Sequence, residues 1–262
     1  VNSGNPQLNC ASGDPGSVEE YIFESLPVQL PGIPPNTGWQ FTWDNCCRNA
    51  AITNILNPSS EGFTLRASMY PFVDPTTGIP TPADPCFDSS PEFKEQPKTI
   101  LCTGFPFSYS HNAFDEELDE LIYSWGEPLS DFLGVYNPPV DPPVLNFNAP
   151  YTVTSPLPGV PTLDPATGEI SYNANISGNF VTCIKVESWK CNQLVAEVYR
   201  EVQVVLITCP TMPASPIPNN PPQVSAPFTD SITGLPSYDT TVYAGSLVQF
   251  VIDGVDGDLY NG

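Results

Sequence analysis

The chain has 262 residues, with 29 acidic and 7 basic side chains and a formal net charge of -22. Such a charge repels nucleic acids and anionic membrane surfaces, and so argues against both as partners. No apolar run is long enough to predict a membrane-spanning helix. The 33 prolines disfavour helix interiors, because proline has no backbone N–H, and they suit turns and strand edges. The composition predicts an all-β protein outside the cytoplasm.

The first segment, residues 1–83, is predicted to form a β-sandwich domain. In GWQFTW the aromatic residues Trp39, Phe41 and Trp43 alternate with other residues, and GFTLRASMY alternates in the same way. A period of two is typical of half-buried strands. The stretch VDPTTGIPTPADP, 73–85, is rich in turn residues and predicts a boundary with the next domain.

Residues 84–209 predict a second, Ig-like or cadherin-like antiparallel β-sandwich. Its clearest strand is LVAEVYREVQVVLI, in which apolar and polar side chains point to opposite faces. The apolar face carries Val198, Val202, Val204 and Leu206, and the polar face carries Glu197, Glu201 and Gln203.

The third part of the chain begins with a Pro-rich linker at 210–222, which is expected to be extended and stiff. Residues 223–262 then predict the opening strands of a truncated third repeat. Placing Gly104 on Gly245 aligns ILCTGFPFSYSHNAFDEE with VYAGSLVQFVIDGVDGD in polarity and spacing. Repetition at the length of a domain predicts a tandem array.

The acidic segment HNAFDEELDELIYSWGEPL, 111–129, fits two structures. Its apolar residues have the spacing of an amphipathic helix. However, the repeated copy DGVDGDLYNG contains three glycines, which a helix tolerates poorly. A strand, an acidic turn and a second strand suit both copies. On this reading Leu121, Tyr123 and Trp125 form the inward face of the second strand.

The carboxylates of this segment have two possible chemical roles. Glu116, Glu117, Asp119 and Glu120 offer acid–base pairs of the kind glycosidases use. No nucleophile motif or phosphate-binding loop accompanies them, so the chain is predicted not to be an enzyme.

Calcium is the other possible role, because Ca²⁺ takes six to eight oxygen ligands and suits carboxylates that alternate through a turn. The sequence predicts calcium as the possible cofactor, and a solvated acidic turn is the alternative. The candidate ligands are Asp115, Glu117 and Asp119, with Asp256 and Asp258 in the repeated copy.

Eight cysteines in a chain with few basic residues predict disulfides in an oxidising compartment. Free buried thiols are the alternative, and zinc is disfavoured because His111 is the only histidine and no CxxC pair exists. Adjacent cysteines are expected to bond separately. The predicted scheme joins Cys46 and Cys47 to Cys10 and Cys86, Cys183 to Cys191, and Cys102 to Cys209.

Five phrases together resemble the large gliding-motility adhesins of Bacteroidetes, the SprB type. They are GWQFTWDNCCRNAAITNI, GFTLRASMYPF, PADPCFDSSPEF, CTGFPFSYSHNAFDEELDELIYSWGEPL and FVTCIKVESWKCNQLVAEVYREVQVVLITC. The resemblance implies an adhesin fragment made of Ig-like repeats, exported by the type IX secretion system and carried on the outer surface of the cell. Its implied partners are neighbouring repeats of the same chain and the secretion and gliding machinery.

Two smaller motifs fit this setting. NAFDEELDELIYSW is similar to the A-x-D-x-D-G-D-x-L-x-Y stretch that binds Ca²⁺ in cadherin-like and PKD-like surface repeats. DSI, which contains Ser231, matches the Asp–Ser/Thr–apolar pattern that Bacteroidetes O-glycosylate.

The sequence therefore predicts a non-enzymatic surface adhesin, and a carbohydrate-binding module of a secreted polysaccharide-degrading system is the alternative. In that alternative the tryptophans stack on extracellular polysaccharide, although a buried core position is the commoner role of tryptophan in a sandwich. The four are Trp39, Trp43, Trp125 and Trp189.

Overall fold

In the computed structural model the regular secondary structure is almost entirely β-strand, as the composition predicts. It describes residues 22–80, 88–94, 96–97, 100–132, 142–208, 223–243, 246–252 and 254–255. Within these ranges the one helical element is a 3-10 turn at Pro58–Ser60, and no helix could span a membrane. In chain order the strands are β1 Trp39–Asn45, β2 Phe63–Met69, β3 Glu92–Phe93, β4 Ile100–Cys102, β5 Pro106–Ser110, β6 Ala113–Phe114, β7 Glu120–Trp125, β8 Thr162–Leu163, β9 Glu169–Asn173, β10 Gly178–Lys190, β11 Gln193–Ile207, β12 Gln223–Val224, β13 Phe228–Thr229, β14 Pro236–Ser237 and β15 Gly254–Val255.

The chain forms two compact units, Val1–Thr208 and Cys209–Gly262. The first contains a six-stranded sheet in the order β1-β2-β11-β10-β7, with β4 also paired to β11. Its pairings are antiparallel except that of β4, which runs parallel to the end of β11. The long hairpin of β10 and β11 is the centre of this sheet.

One face of the large sheet carries the main core. Residues directly opposite each other on paired strands point to the same face, and Tyr123, Val186, Val198, Ala67 and Phe41 are joined in this way across the sheet. A three-stranded sheet in the order β5-β9-β8 supplies further residues of this core. The buried members include Ile170, Tyr172, Phe180, Ile184, Val202, Val204 and Leu206.

The opposite face of the large sheet is covered by loops. Ile52, Ile55, Leu145 and Val181 form a second, smaller core. Asn54 is fully buried there, and its Nδ2 donates to the carbonyl oxygen of Val181 at 2.8 Å while its Oδ1 accepts from the Val181 N–H at 2.9 Å. The loop thus completes hydrogen bonds that a strand would otherwise make.

The boundary predicted between residues 83 and 84 does not divide the chain into compact units. Strand β2 pairs with β11, so both predicted sandwich segments contribute to one sheet. Within the turn-rich stretch, Val73 and Pro80 face each other across a β-bridge. Turn residues do not distinguish a hairpin from a linker, because both require the same backbone conformations.

The strands predicted around the core are confirmed. The four apolar residues predicted to share a face of β11 are all buried, and the acidic segment forms a turn followed by β7 rather than a helix. Tyr123 lies in the core, and Leu121 and Trp125 pack against it. The polar face of β11 differs from the prediction, since Glu197 is buried as well.

The second unit contains two short antiparallel pairs, β12 with β15 and β13 with β14. The rings of Phe228 and Phe250 lie 5.1 Å apart, and the Tyr238 hydroxyl donates to the Val224 carbonyl oxygen at 2.7 Å. These contacts bring the two pairs of strands together.

Candidate functional site

The acidic turn between β6 and β7 is organised around Asp115, which is 3% exposed. Its Oδ1 accepts the backbone N–H groups of Glu117 at 3.0 Å and Asp119 at 3.1 Å. Its Oδ2 accepts the Ser188 hydroxyl at 3.1 Å. Both oxygens therefore hold the turn in place and attach it to β10.

Two further carboxylates of the turn, Glu117 and Asp119, also have protein partners. Glu117 accepts the backbone N–H and the hydroxyl of Ser89 at 3.0 and 3.1 Å, and the backbone donor lowers the pKa of Glu117. Asp119 Oδ2 lies 3.0 Å from Lys190 Nζ. Lys190 also contacts Asp88 at 3.4 Å, and burial raises the pKa of Asp88 to about 7 despite that ammonium group.

The predicted calcium ligands are therefore brought together in one turn but are already bonded within the protein. In the described part of the chain no group of three or more His, Cys, Asp or Glu side chains is arranged to hold a metal ion. The other two candidates, Asp256 and Asp258, lie outside the described residues. Calcium binding thus remains a prediction from the sequence.

The disulfide scheme requires a correction at the adjacent cysteines. Cys46 and Cys47 are bonded to each other, so the prediction that they bond separately to Cys10 and Cys86 is wrong. Sulfur atoms of adjacent residues meet without closing a long loop, whereas a bridge to a distant cysteine requires that loop closure. Cys10 and Cys86 lie outside the described residues.

The predicted bridge between Cys183 and Cys191 is also wrong, because both thiols are free. Cys183 lies within β10, whereas Cys191 follows the end of that strand. Eight residues of extended strand separate their α-carbons by about 26 Å, which no disulfide can span. Cys102 is disulfide-bonded, and Cys209, the partner predicted for it, lies outside the described residues.

One turn occurs three times and was missed by the sequence predictions, although its pattern D-x-x-T-G is visible in the sequence. It begins at Asp74, Asp164 and Asp230. In each copy the aspartate side chain accepts two backbone N–H groups at 2.6–3.2 Å, which lowers its pKa. The final glycine of each copy has a φ of 67–71°, a left-handed conformation that favours glycine.

The three turns differ in what packs against their final glycine. Gly168, in the second copy, packs under the Tyr123 ring, so a Cβ at this position would lie 2.5 Å from that ring. The carbonyl oxygen of Gly168 accepts the backbone N–H of His111 at 3.2 Å. By contrast, no atom of the described residues lies within 4 Å of such a Cβ at Gly78 or Gly234.

His111 is the second feature that sequence reasoning missed. The imidazole is 2% exposed, and neither ring nitrogen has a hydrogen-bond partner in the described part of the chain. Tyr109 and Phe93 lie edge-on to it at 5.2 and 6.2 Å. Burial, together with the positive charge of Arg200, lowers the pKa of His111 to about 4.

The four tryptophans do not share one surface. Trp39 and Trp43 lie on the same face of β1 as Phe41, and the Trp43 ring lies tilted against that of Phe63, with 5.4 Å between the ring centres. Trp125 packs against the main core, and the Trp189 indole donates to Glu187 at 3.1 Å. Trp39 and Trp43 are thus the two tryptophans that share one strand face with an exposed aromatic residue, Phe41.

Comparison with known proteins gives no relative. The sequence matches no protein-family model, and no curated protein or solved structure matches it.

Proposed function

We propose that the chain is part of a non-enzymatic cell-surface adhesin built from repeated β-domains. The observation that best supports this is that one hydrogen-bonded turn occurs three times, twice in the first compact unit and once in the second. Copies of a small structural unit along one chain are typical of repeat proteins. The resemblance to gliding-motility adhesins supplies the location on the outer surface and export by the type IX system.

The arrangement of strands in the first unit suits a protein that transmits force. Strands β1 and β11 run in the same direction, with β2 antiparallel between them. A pull along the chain at Trp39 and Ile207 therefore acts along the strands. Because ladder hydrogen bonds are perpendicular to the strands, such a pull shears the bonds of the seven-pair β1–β2 ladder and of the three-pair β2–β11 ladder instead of opening them singly.

The acidic turn supports a structural rather than a catalytic role. Asp115 and Glu117 accept hydrogen bonds from the protein, and Asp119 pairs with Lys190. A general acid or base needs a carboxyl group directed at a substrate. These carboxylates instead fix the turn to β10 and to Ser89.

Ser231 is exposed at the tip of the third turn, a position that a glycosyltransferase can reach. Its hydroxyl is therefore proposed as a glycosylation site, and intact-mass spectrometry of protein from the native cell surface measures it. A Ser231→Ala protein that keeps the same glycan mass would overturn this assignment.

The location and role are tested on intact cells of the source organism. We expect antibodies against the first unit to label unpermeabilised cells and external protease to remove that label. A cytoplasmic marker should stay protected from that protease. Deletion of the gene should reduce attachment of the cells to a surface. A chain found only inside the cell, or a deletion without effect on attachment, would contradict the proposal.

A further inference from the structure

The core-bearing face of the large sheet continues beyond the small sheet onto β1 and β2. Trp39, Phe41 and Trp43 follow one another along β1 on that face, and Phe41 is 51% exposed. Across the ladder the same face presents Leu65 and Met69, among others. A row of aromatic side chains on β1 is thus left partly exposed to solvent beyond the edge of the small sheet.

Two grooves lie along this row, between β1 and the extended segment 22–38. One has a volume of about 620 Å³ and the other about 640 Å³, sizes typical of ligand sites. Phe23 lies 5.0 Å from Trp43 and forms part of the first groove. The first is lined by Phe23, Trp43, Asn45, Phe63 and Leu65, and the second by Ser25, Val28, Leu30, Pro35, Thr37, Gly38, Trp39, Gln40 and Phe41.

Among the described residues that line the grooves there is no Asp, Glu, Lys, Arg or His, although the chain has 36 Asp, Glu, Lys and Arg residues, 29 acidic and 7 basic. A charged ligand would find no counter-charge among these described residues, and anions would be repelled by the net charge of -22. The polar groups present are amides and hydroxyls, such as those of Asn45, Ser25 and Thr37. The occupant that fits is neutral and rich in hydroxyl groups.

We infer that this aromatic row is a binding site for a neutral polysaccharide. A pyranose ring has an apolar face of C–H groups that stacks on an aromatic ring, while its hydroxyls bond to amide and hydroxyl groups at the rim. Trp39 and Trp43 are four residues apart in an extended strand, about 13 Å. That length spans more than one sugar ring, so the ligand is a chain rather than a monosaccharide.

The inference rests on the proposed adhesive function and names its ligand class. A proline-rich peptide also stacks on aromatic grooves, and the segment 210–222 has that composition. A neutral glycan is favoured because the rim offers several side-chain donors and acceptors, which a proline-rich chain without N–H groups uses less fully.

Affinity electrophoresis of the 262-residue chain tests the inference. Native gels contain hydroxyethylcellulose, xyloglucan or mannan as neutral probes and alginate as an anionic probe. We expect at least one neutral polymer to retard the protein and alginate to have no effect. Phe41→Ala and Trp43→Ala should each weaken that binding about tenfold or more, as aromatic anchors do, and Trp43→Phe should retain most of it.

The matched control is Phe105→Ala, because Phe105 is 60% exposed and lies outside both grooves. It should bind like the parent protein, and urea unfolding of every variant confirms that the fold is kept. Retardation by no neutral polymer, or retardation unchanged in folded Phe41→Ala and Trp43→Ala proteins, overturns the inference. So does tighter binding of a synthetic 210–222 peptide, or a dimer that these variants dissociate. Surface labelling of cells is unaffected by these outcomes, so failure here is distinguishable from failure of the proposed function.

Discussion

The Arg48 side chain joins the segment after β1 to the central sheet. Its side chain is 3% exposed and forms an ion pair with Glu201 on β11. The guanidinium also donates to the carbonyl oxygens of Gly62 at 2.7 Å and Leu129 at 2.9 Å. Removing one member of a buried pair leaves the other charge uncompensated, and this cost usually exceeds the net stabilisation from the pair itself.

We therefore expect Arg48→Ala to lower the free energy of unfolding by about 3–5 kcal/mol, measured by urea denaturation. The control is Lys94→Ala, which breaks the exposed pair of Lys94 with Glu92 and should change stability by less than about 1 kcal/mol. Similar losses in the two variants would contradict the assigned role of Arg48.

The buried His111 predicts a loss of stability in acid. Its pKa is about 4 in the folded protein, against about 6.5 when unfolded. The unfolded chain therefore binds a proton first as the pH falls, and stability that is full above pH 6.5 decreases towards pH 4, by up to about 3 kcal/mol.

Urea unfolding of the parent protein and of His111→Leu at pH 7 and pH 4.5 checks this prediction. The parent should lose more stability than the variant over that interval. The raised pKa of Asp88 acts in the opposite direction, because acid then favours the folded state, but it is common to both proteins and cancels in the comparison. An equal loss in both would show that His111 does not titrate as the structure indicates.

Substitution of Asp115 tests whether the acidic turn has a structural role or binds calcium. Asp115→Ala removes the acceptors of three hydrogen bonds and should lower the free energy of unfolding by about 2–3 kcal/mol. Exposed Glu116 gives the control, and Glu116→Ala should be nearly neutral.

Thermal melts of the parent and Asp115→Ala proteins, each with calcium or EGTA, distinguish the two roles. We expect the loss to persist in EGTA, since the lost partners belong to the protein. A calcium-dependent rise in the melting temperature of the parent that disappears in the variant would instead identify Asp115 as a metal ligand.

At the scale of elements, the three D-x-x-T-G turns form a natural set of matched variants. Gly78→Ala and Gly168→Ala introduce the same left-handed strain, about 1–2 kcal/mol, because their φ angles are 67° and 68°. Only the Cβ at Gly168 would meet the Tyr123 ring, which adds about 1–3 kcal/mol of overpacking.

Urea unfolding of the two proteins should therefore show the larger loss for Gly168→Ala. If the two losses are equal, the second turn is not seated against Tyr123 in solution. Both turns lie in the first compact unit, so their effects are read from the same unfolding transition.

The predictions of secondary structure were right where the local sequence pattern, or its repeated copy, fitted only one kind of element. The acidic segment had helical spacing, but its repeated copy with glycines excluded a helix, and the structure has a turn and β7. The predicted disulfide between Cys183 and Cys191 was wrong. The two cysteines are close in sequence, but the residues between them form an extended strand that holds them apart in space. Periodicity predicts a strand, but it does not show where a strand ends and a hairpin begins.

At the scale of the whole molecule, β4 and the end of β11 connect distant parts of the first unit. Cys102 lies opposite Ile207 in their parallel pairing and is disulfide-bonded. A disulfide restricts the unfolded chain and stabilises the folded state by about 2–4 kcal/mol.

Cys102→Ser should therefore lower the free energy of unfolding by about 2–4 kcal/mol under non-reducing conditions. Cys191→Ser is the control, because that thiol is free and exposed, and it should leave stability unchanged. If a reducing agent abolishes the difference between Cys102→Ser and the parent, the disulfide accounts for it. A difference that persists after reduction would assign the loss to packing.

The sequence by itself determined the all-β class, the position of β1, β7 and β11, and the acidic turn, because composition and a period of two are local properties of the chain. Only the tertiary structure decided that β2 pairs with β11, that Arg48 reaches Glu201, and that His111 is buried. Each joins residues from distant parts of the chain, and a one-dimensional pattern does not specify which strand edges meet. The aromatic row on β1 depends on both the sequence and the tertiary structure. The alternation of Trp39, Phe41 and Trp43 with other residues is visible in the sequence, whereas the partial exposure of the row depends on where the small sheet ends.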